Sequence, residues 1–125
     1  MNDAERDPRT VITEALGMLS LVATRRLYEE QPALWDLGEH GRARTLEDFG
    51  HHFRAIAALD EPAFRRHVDY CVSLFDQRGF PRRWLDDAWR TMAGVLRDEL
   101  PAPAAESALA TLDAVTGAGA GGGGG

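Results

Sequence analysis

LEDFGHHFRAI, residues Leu46 to Ile56, decides the fold class. Leu46, Phe49, Phe53 and Ile56 recur at steps of three and four, which lines them along one face of an α-helix. Thr45-Leu46-Glu47-Asp48 resembles a capping box with Asp in its third position. The spacing therefore predicts a helix from about Thr45 to Leu59. At about 100° per residue His51 falls opposite the apolar stripe and His52 on its edge, near Phe49 and Ile56. The doublet is not a unit: one ring points to water, the other toward a helix junction.

The same period runs outward in both directions. Downstream, Asp60-Glu61-Pro62 caps a third helix with Phe64, Val68, Cys71, Val72 and Phe75 on one face, ended by Arg78-Gly79. A fourth helix starts at Pro81, with Leu85, Ala88, Trp89, Met92, Val95 and Leu96 facing inward, and stops at Leu100-Pro101. A fifth, alanine-rich, covers about Ala104 to Val115. Upstream, Asp7-Pro8 starts a helix that runs to about Glu30 on the stripe Ile12, Ala15, Leu16, Leu19, Val22 and Ala23. Pro32 breaks it, and a short turn of helix from Ala33 to Leu37 is ended by Gly38 and Gly41. No alternating strand pattern of useful length occurs. The expected fold is all-α, an antiparallel bundle of four to five helices or a globin-like variant of one. Residues 1–6 are expected as a flexible start, 7–116 as the helical domain and the glycine-rich 117–125 as a disordered tail.

Composition narrows the function. At 125 residues one ordinary domain buries a core without disulfides or structural metal. Cys71 is the single cysteine, which excludes an internal disulfide and Cys₄ or Cys₂His₂ zinc sites. The polar start MNDAERDPRT and the absence of an apolar run of roughly 18 residues predict no leader, no membrane span and a cytoplasmic location. A net charge of −6 argues against nucleic-acid binding, which depends on accumulated cations. All fourteen basic residues are arginine; with the alanine and glycine excess this points to a GC-rich bacterial coding sequence.

Catalytic signatures are absent. Neither a phosphate-binding glycine loop nor a nucleophile elbow occurs, and Cys71 on a buried stripe reads as packing. No catalytic residue is assigned and no enzyme is expected. Arg83, Arg90 and Arg97 repeat every seven residues on the face opposite Leu85, Trp89 and Met92, which reads as a solvated face, with Asp86 pairing with Arg90 four residues on. Trp84 and Trp89 flank the fourth helix's stripe and, where they do not simply pack the core, would serve a homodimer interface.

His67 sits on the edge of the third helix's stripe, beside Cys71 and Leu74. With the intervening turn centred near Glu61, His52 lies roughly 13 Å and His67 roughly 9 Å from it at about 1.5 Å per residue, so the rings are not obviously level. Two readings stand: a pair of half-buried boundary residues, each hydrogen-bonded, or a ligand pocket of His52, His67, Tyr70 and Asp48. No metal-ligand motif such as HExxH or CxxCH occurs, so no metal is assigned.

The run Arg44 to Phe53, followed by Ala58-Leu59, Phe64 and Arg78-Gly79-Phe80-Pro81, resembles a bacterial helical sensory or regulatory domain of the kind found with cobalamin-binding modules. The resemblance spans about residues 27 to 101. It places His52, not His51, on that family's single histidine, and departs from it at His67 and Tyr70. It implies a regulatory role and a tetrapyrrole-related ligand. The expectation is a non-enzymatic sensor acting through a protein partner or as a homodimer, with no cofactor; the alternative is a globin-like binder of haem or a corrinoid near His52 and His67.

Overall fold

A computed structural model describes residues 6–119; the expectations for residues 1–5 and 120–125 lie outside the described residues. The fold is all-α, with no strand among the described residues. The helices are α1 (Pro8–Glu14), α2 (Leu16–Glu30), α3 (Gly38–Ala57), α4 (Glu61–Arg78), α5 (Arg82–Glu99) and α6 (Ala102–Thr116), with a 3₁₀ segment at Pro32–Leu37 between α2 and α3. No helix of the described residues is long and apolar enough to cross a membrane.

The helix expected from Pro8 to Glu30 is in fact two. Ala15 leaves helical geometry (φ −96°, ψ 1°), and its N–H donates to the Ile12 carbonyl at 3.0 Å, closing α1 with a tight turn. The break lets two parts of one apolar stripe meet different partners. Val11 and Ile12 are buried where α1 packs on α3 and α6, while Leu19, Val22 and Ala23 are buried where α2 packs on α3 and α5.

The second departure is the start of α3, at Gly38 instead of Thr45. Gly38, with φ +72°, turns the chain from the 3₁₀ segment into α3. Gly41 does not end a helix; it lies within α3, where a Cβ would stand 2.5 Å from the Leu37 Cβ. Thr45 is likewise internal: its hydroxyl donates to the Gly41 carbonyl at 3.0 Å, the back-bonding habit of threonine inside helices.

Elsewhere the local chemistry acts as its residues dictate. The Asp60 side chain accepts from the Ala63 N–H at 3.1 Å and caps α4. Gly79 takes the left-handed conformation (φ 70°, ψ 23°) at the other end, and the Phe80 N–H donates to the Phe75 carbonyl at 2.9 Å. The rings of Phe75 and Phe80 meet 5.4 Å apart between centroids, the apolar contact that accompanies this kind of cap. Gly117 (φ 79°) closes α6, and Ala118 beyond it packs against the core.

The core is one cluster in which all six helices take part. Ile12, Leu19, Phe49, Phe53, Ile56, Phe64, Met92 and Leu96 are its largest fully buried members. Each phenylalanine removed from water contributes about 1.5–3 kcal/mol. α5 packs against α2, α4 and α6. Its apolar face carries Leu85, Trp89, Met92, Val95 and Leu96 inward, while Arg83, Arg90 and Arg97 stay exposed. Arg90 pairs with Asp87, three residues before it, and not with Asp86.

Candidate functional site

The link between α3 and α4 is three residues, Ala58 to Asp60. Its middle residue, Leu59, has φ +53°, a left-handed conformation uncommon for a side chain of this size. That conformation reverses the chain in the shortest space. It also moves the centre of the turn from Glu61 to Leu59, so His52 stands seven residues before the centre and His67 eight after it. The two histidines are therefore level. His52 Nδ1 lies 2.8 Å from His67 Nε2, and the rings meet edge to face with centroids 5.1 Å apart.

His52 is buried, 7% exposed. Trp89 of α5 meets it edge to face at 4.8 Å between centroids, and Phe49 stands one turn before it at 6.1 Å. Phe64 stacks on His67 with centroids 6.0 Å apart. Such surroundings oppose a positive charge. Burial, then His67 and His51, push the His52 imidazolium down to a pKa of about 3; burial and His51 lower that of His67. Both rings are neutral at pH 7, and a neutral pair at this distance shares one hydrogen bond, one nitrogen donating and the other accepting. His51 points to solvent, 3.9 Å from Glu47 across one helical turn.

Cys71 completes the cluster. It lies one turn beyond His67 on α4, buried, with Sγ 3.7 Å from His67 Nε2. Burial, with the Asp48 charge adding to it, pushes the thiol up to about 11. With His67 Nε2 as acceptor, its one lone pair takes the His52 Nδ1–H at 2.8 Å, and the thiol at 3.7 Å makes only a weak, shared contact with it. No buried side-chain nitrogen or oxygen among the described residues is left without a partner. The donor atoms of His52, His67 and Cys71 all lie within 4.8 Å of one another. Two imidazoles and a thiol are a donor set for late transition metals.

The other expected members stand apart. Tyr70 is 61% exposed and turned to solvent. Asp48 lies one turn before His52 on α3, its side chain half exposed and 3.9 Å from Arg44; burial raises its pKa against the opposing pull of Arg44 and His51. Trp89 is 4% exposed and is core packing against His52 and Phe64, so it offers no surface to a partner. Trp84 is 42% exposed and touches Phe80. Cys71, read from the sequence as packing alone, is a member of the cluster. The signal for it was the four-residue step from His67, which puts both on one face of a helix.

A second feature was not anticipated. Between α2, the 3₁₀ segment and α3 lies an open cavity of about 640 Å³ lined by Leu21, Arg25, Tyr28, Glu29, Trp35 and Arg42, among others. Tyr28 and Trp35 meet edge to face at 4.8 Å. Of its lining, Leu21 is 50% and Trp35 48% exposed. Neither models of known protein families, nor curated proteins, nor solved structures provide a match to the chain.

Proposed function

We propose that the chain is a non-enzymatic helical sensory or regulatory domain that works by protein–protein contact, as a homodimer through the face around Leu21 and Trp35. The observation that carries this is the face itself. An exposed tryptophan and leucine around one open cavity form the kind of apolar patch that partners cover. Its charges are of both signs: Arg25 and Arg42 line the same cavity as Glu29. In a two-fold contact each arginine can meet the glutamate of the other copy, as an isologous interface demands.

The buried histidine–cysteine cluster supplies an input and not a reaction centre. A thiol held near 11 is a poor nucleophile at neutral pH, and one nitrogen of each imidazole is engaged in the bond between the two rings. A haem or corrinoid bound through His52 draws on the same neutral rings. It would require the His52–His67 bond to open and α3, α4 and α5 to part around a macrocycle.

Light scattering across a concentration series tests the main reading. Twice the chain mass is expected, reduced toward the single-chain mass by Trp35→Ala or Arg42→Glu and restored when Arg42→Glu is combined with Glu29→Arg. Trp84→Ala should leave it unchanged. A single-chain mass at every concentration sinks the dimer. Absorption spectra after incubation with haem or cobalamin test the other; no shifted band in the wild type removes it.

A further inference from the structure

The three donors of the buried cluster come from two adjacent helices. α4 presents His67 and Cys71 one turn apart on one face, and α3 presents His52 level with them. Two nitrogens and a sulfur converge on a common point, walled by Phe49, Phe64 and Trp89. We propose that His52, His67 and Cys71 form a binding site for a single zinc-class ion, held through His52 Nδ1, His67 Nε2 and the Cys71 thiolate. As the signal received by a sensory domain, the ion rests on the function proposed above; as a binding site it stands on geometry alone.

The distances can be compared with what such an ion needs. Zinc bonds of about 2.0–2.1 Å to imidazole nitrogen and about 2.3 Å to thiolate, at tetrahedral angles, imply about 3.3 Å between nitrogens and about 3.6 Å from nitrogen to sulfur. The structure has 2.8 Å between the two nitrogens and 3.7 Å from His67 Nε2 to Sγ. One pair must open by about half an ångström, a second already fits, and the third, within 4.8 Å, closes by rotation of the Cys71 side chain. In the metal-free state the shared proton of the histidine pair occupies the place the ion would take. Hard ions such as Mg²⁺ and Ca²⁺ are excluded by the absence of oxygen from the donor set.

Binding breaks one S–H bond and forms one Zn–S bond, with the Cys71 proton released to solvent. The histidine N–H now engaged in the pair moves to the ring nitrogen away from the ion, so neither imidazole changes charge. Three protein ligands leave the fourth tetrahedral position to a water. The ion would tie α3 to α4 beside Trp89, whose ring rests on His52, so that the indole fluorescence reports occupancy.

The test uses the full chain, stripped with a chelator, and Zn²⁺ competed against a chromophoric indicator. One ion per chain is expected, with Trp89 fluorescence changing in step in a Trp35→Phe/Trp84→Phe background. Cys71→Ser and His67→Gln should each weaken binding by about 100-fold or more, while His40→Gln and His51→Gln leave it unchanged. Co²⁺ as a spectroscopic substitute should give the wild type a thiolate-to-metal charge-transfer band. That measurement needs no variant and so survives any failure of Cys71→Ser to fold. Failure to compete with the indicator, a Co²⁺ complex without thiolate absorption, or undiminished binding by folded Cys71→Ser would each overturn the site. Anaerobic Cu⁺ displacing Zn²⁺ at a physiological ratio would overturn the assignment to zinc. None of these outcomes bears on the dimer mass, so the two proposals fail separately.

Discussion

His52→Asn should make the metal-free protein less sensitive to acid. The asparagine amide reaches roughly where Nδ1 lies, keeps a hydrogen-bonding group toward His67, and cannot be protonated. The wild-type imidazole has a pKa near 6.5 in an unfolded chain and about 3 in the folded one. Between those values the unfolded state binds the extra proton and the folded state does not. Stability is thus fully present above pH 6.5 and is lost as pH falls toward 3. At pH 5 the gap already used is 1.5 units, and at about 1.36 kcal/mol per unit this costs the wild type about 2 kcal/mol relative to pH 7. That is a large share of the roughly 5–15 kcal/mol that holds a domain of ordinary stability.

The titratable groups packed on His52 are His67 and Cys71 from α4; Asp48 and His51 lie on its own helix outside the cluster, and the uncharged Trp89 packs on it from α5. All remain in the variant. The lowered pKa of His67 owes to burial and His51, so its contribution largely cancels between the two proteins. Urea unfolding at pH 7 and pH 5 in the presence of a chelator measures the effect. Wild type should lose about 2 kcal/mol more than His52→Asn over that interval. Equal losses, or an NMR titration of the His52 ring with a midpoint near 6.5, would refute the account of a ring kept neutral by burial.

Three further outcomes follow from the packing. Phe53→Ala empties a fully buried site on α3 and should destabilise by about 3–5 kcal/mol in urea. Asp60→Ala removes the α4 cap and should cost about 1 kcal/mol, visible as a lower Tm. Gly79→Ala isolates a backbone effect, because nothing lies within 4 Å of the added Cβ while φ is +70°. It should cost about 1–2 kcal/mol in chemical denaturation, and a neutral result would mean the α4 terminus relaxes freely.

The all-helical class was legible because the steps of three and four seen in Leu46 to Ile56 recur in every long segment and no alternating pattern interrupts them. The α4 ends were equally legible, since Asp60 and Gly79 act through their immediate neighbours. What escaped depended on distant packing or on one backbone angle. Nothing local in Ala15 announces a break; the division arises because Ile12 and Leu19 face different helices. Gly41 looked like a stop, yet inside α3 its missing side chain lets Leu37 come close. The separation of His52 from His51 could be seen on a wheel, whereas the meeting of His52 and His67 could not. It turns on Leu59 adopting a left-handed conformation, which residue type does not favour.

That link has a consequence for how the chain can change over generations. Surface connections are where proteins gain and lose residues most freely. Here a residue inserted within α4 between Asp60 and His67 would carry His67 about 1.5 Å along the helix axis and about 100° around it relative to the cap, turning the ring away from His52. Chains descended from this one that keep the paired histidines must keep the number of residues between the Asp60 cap and His67.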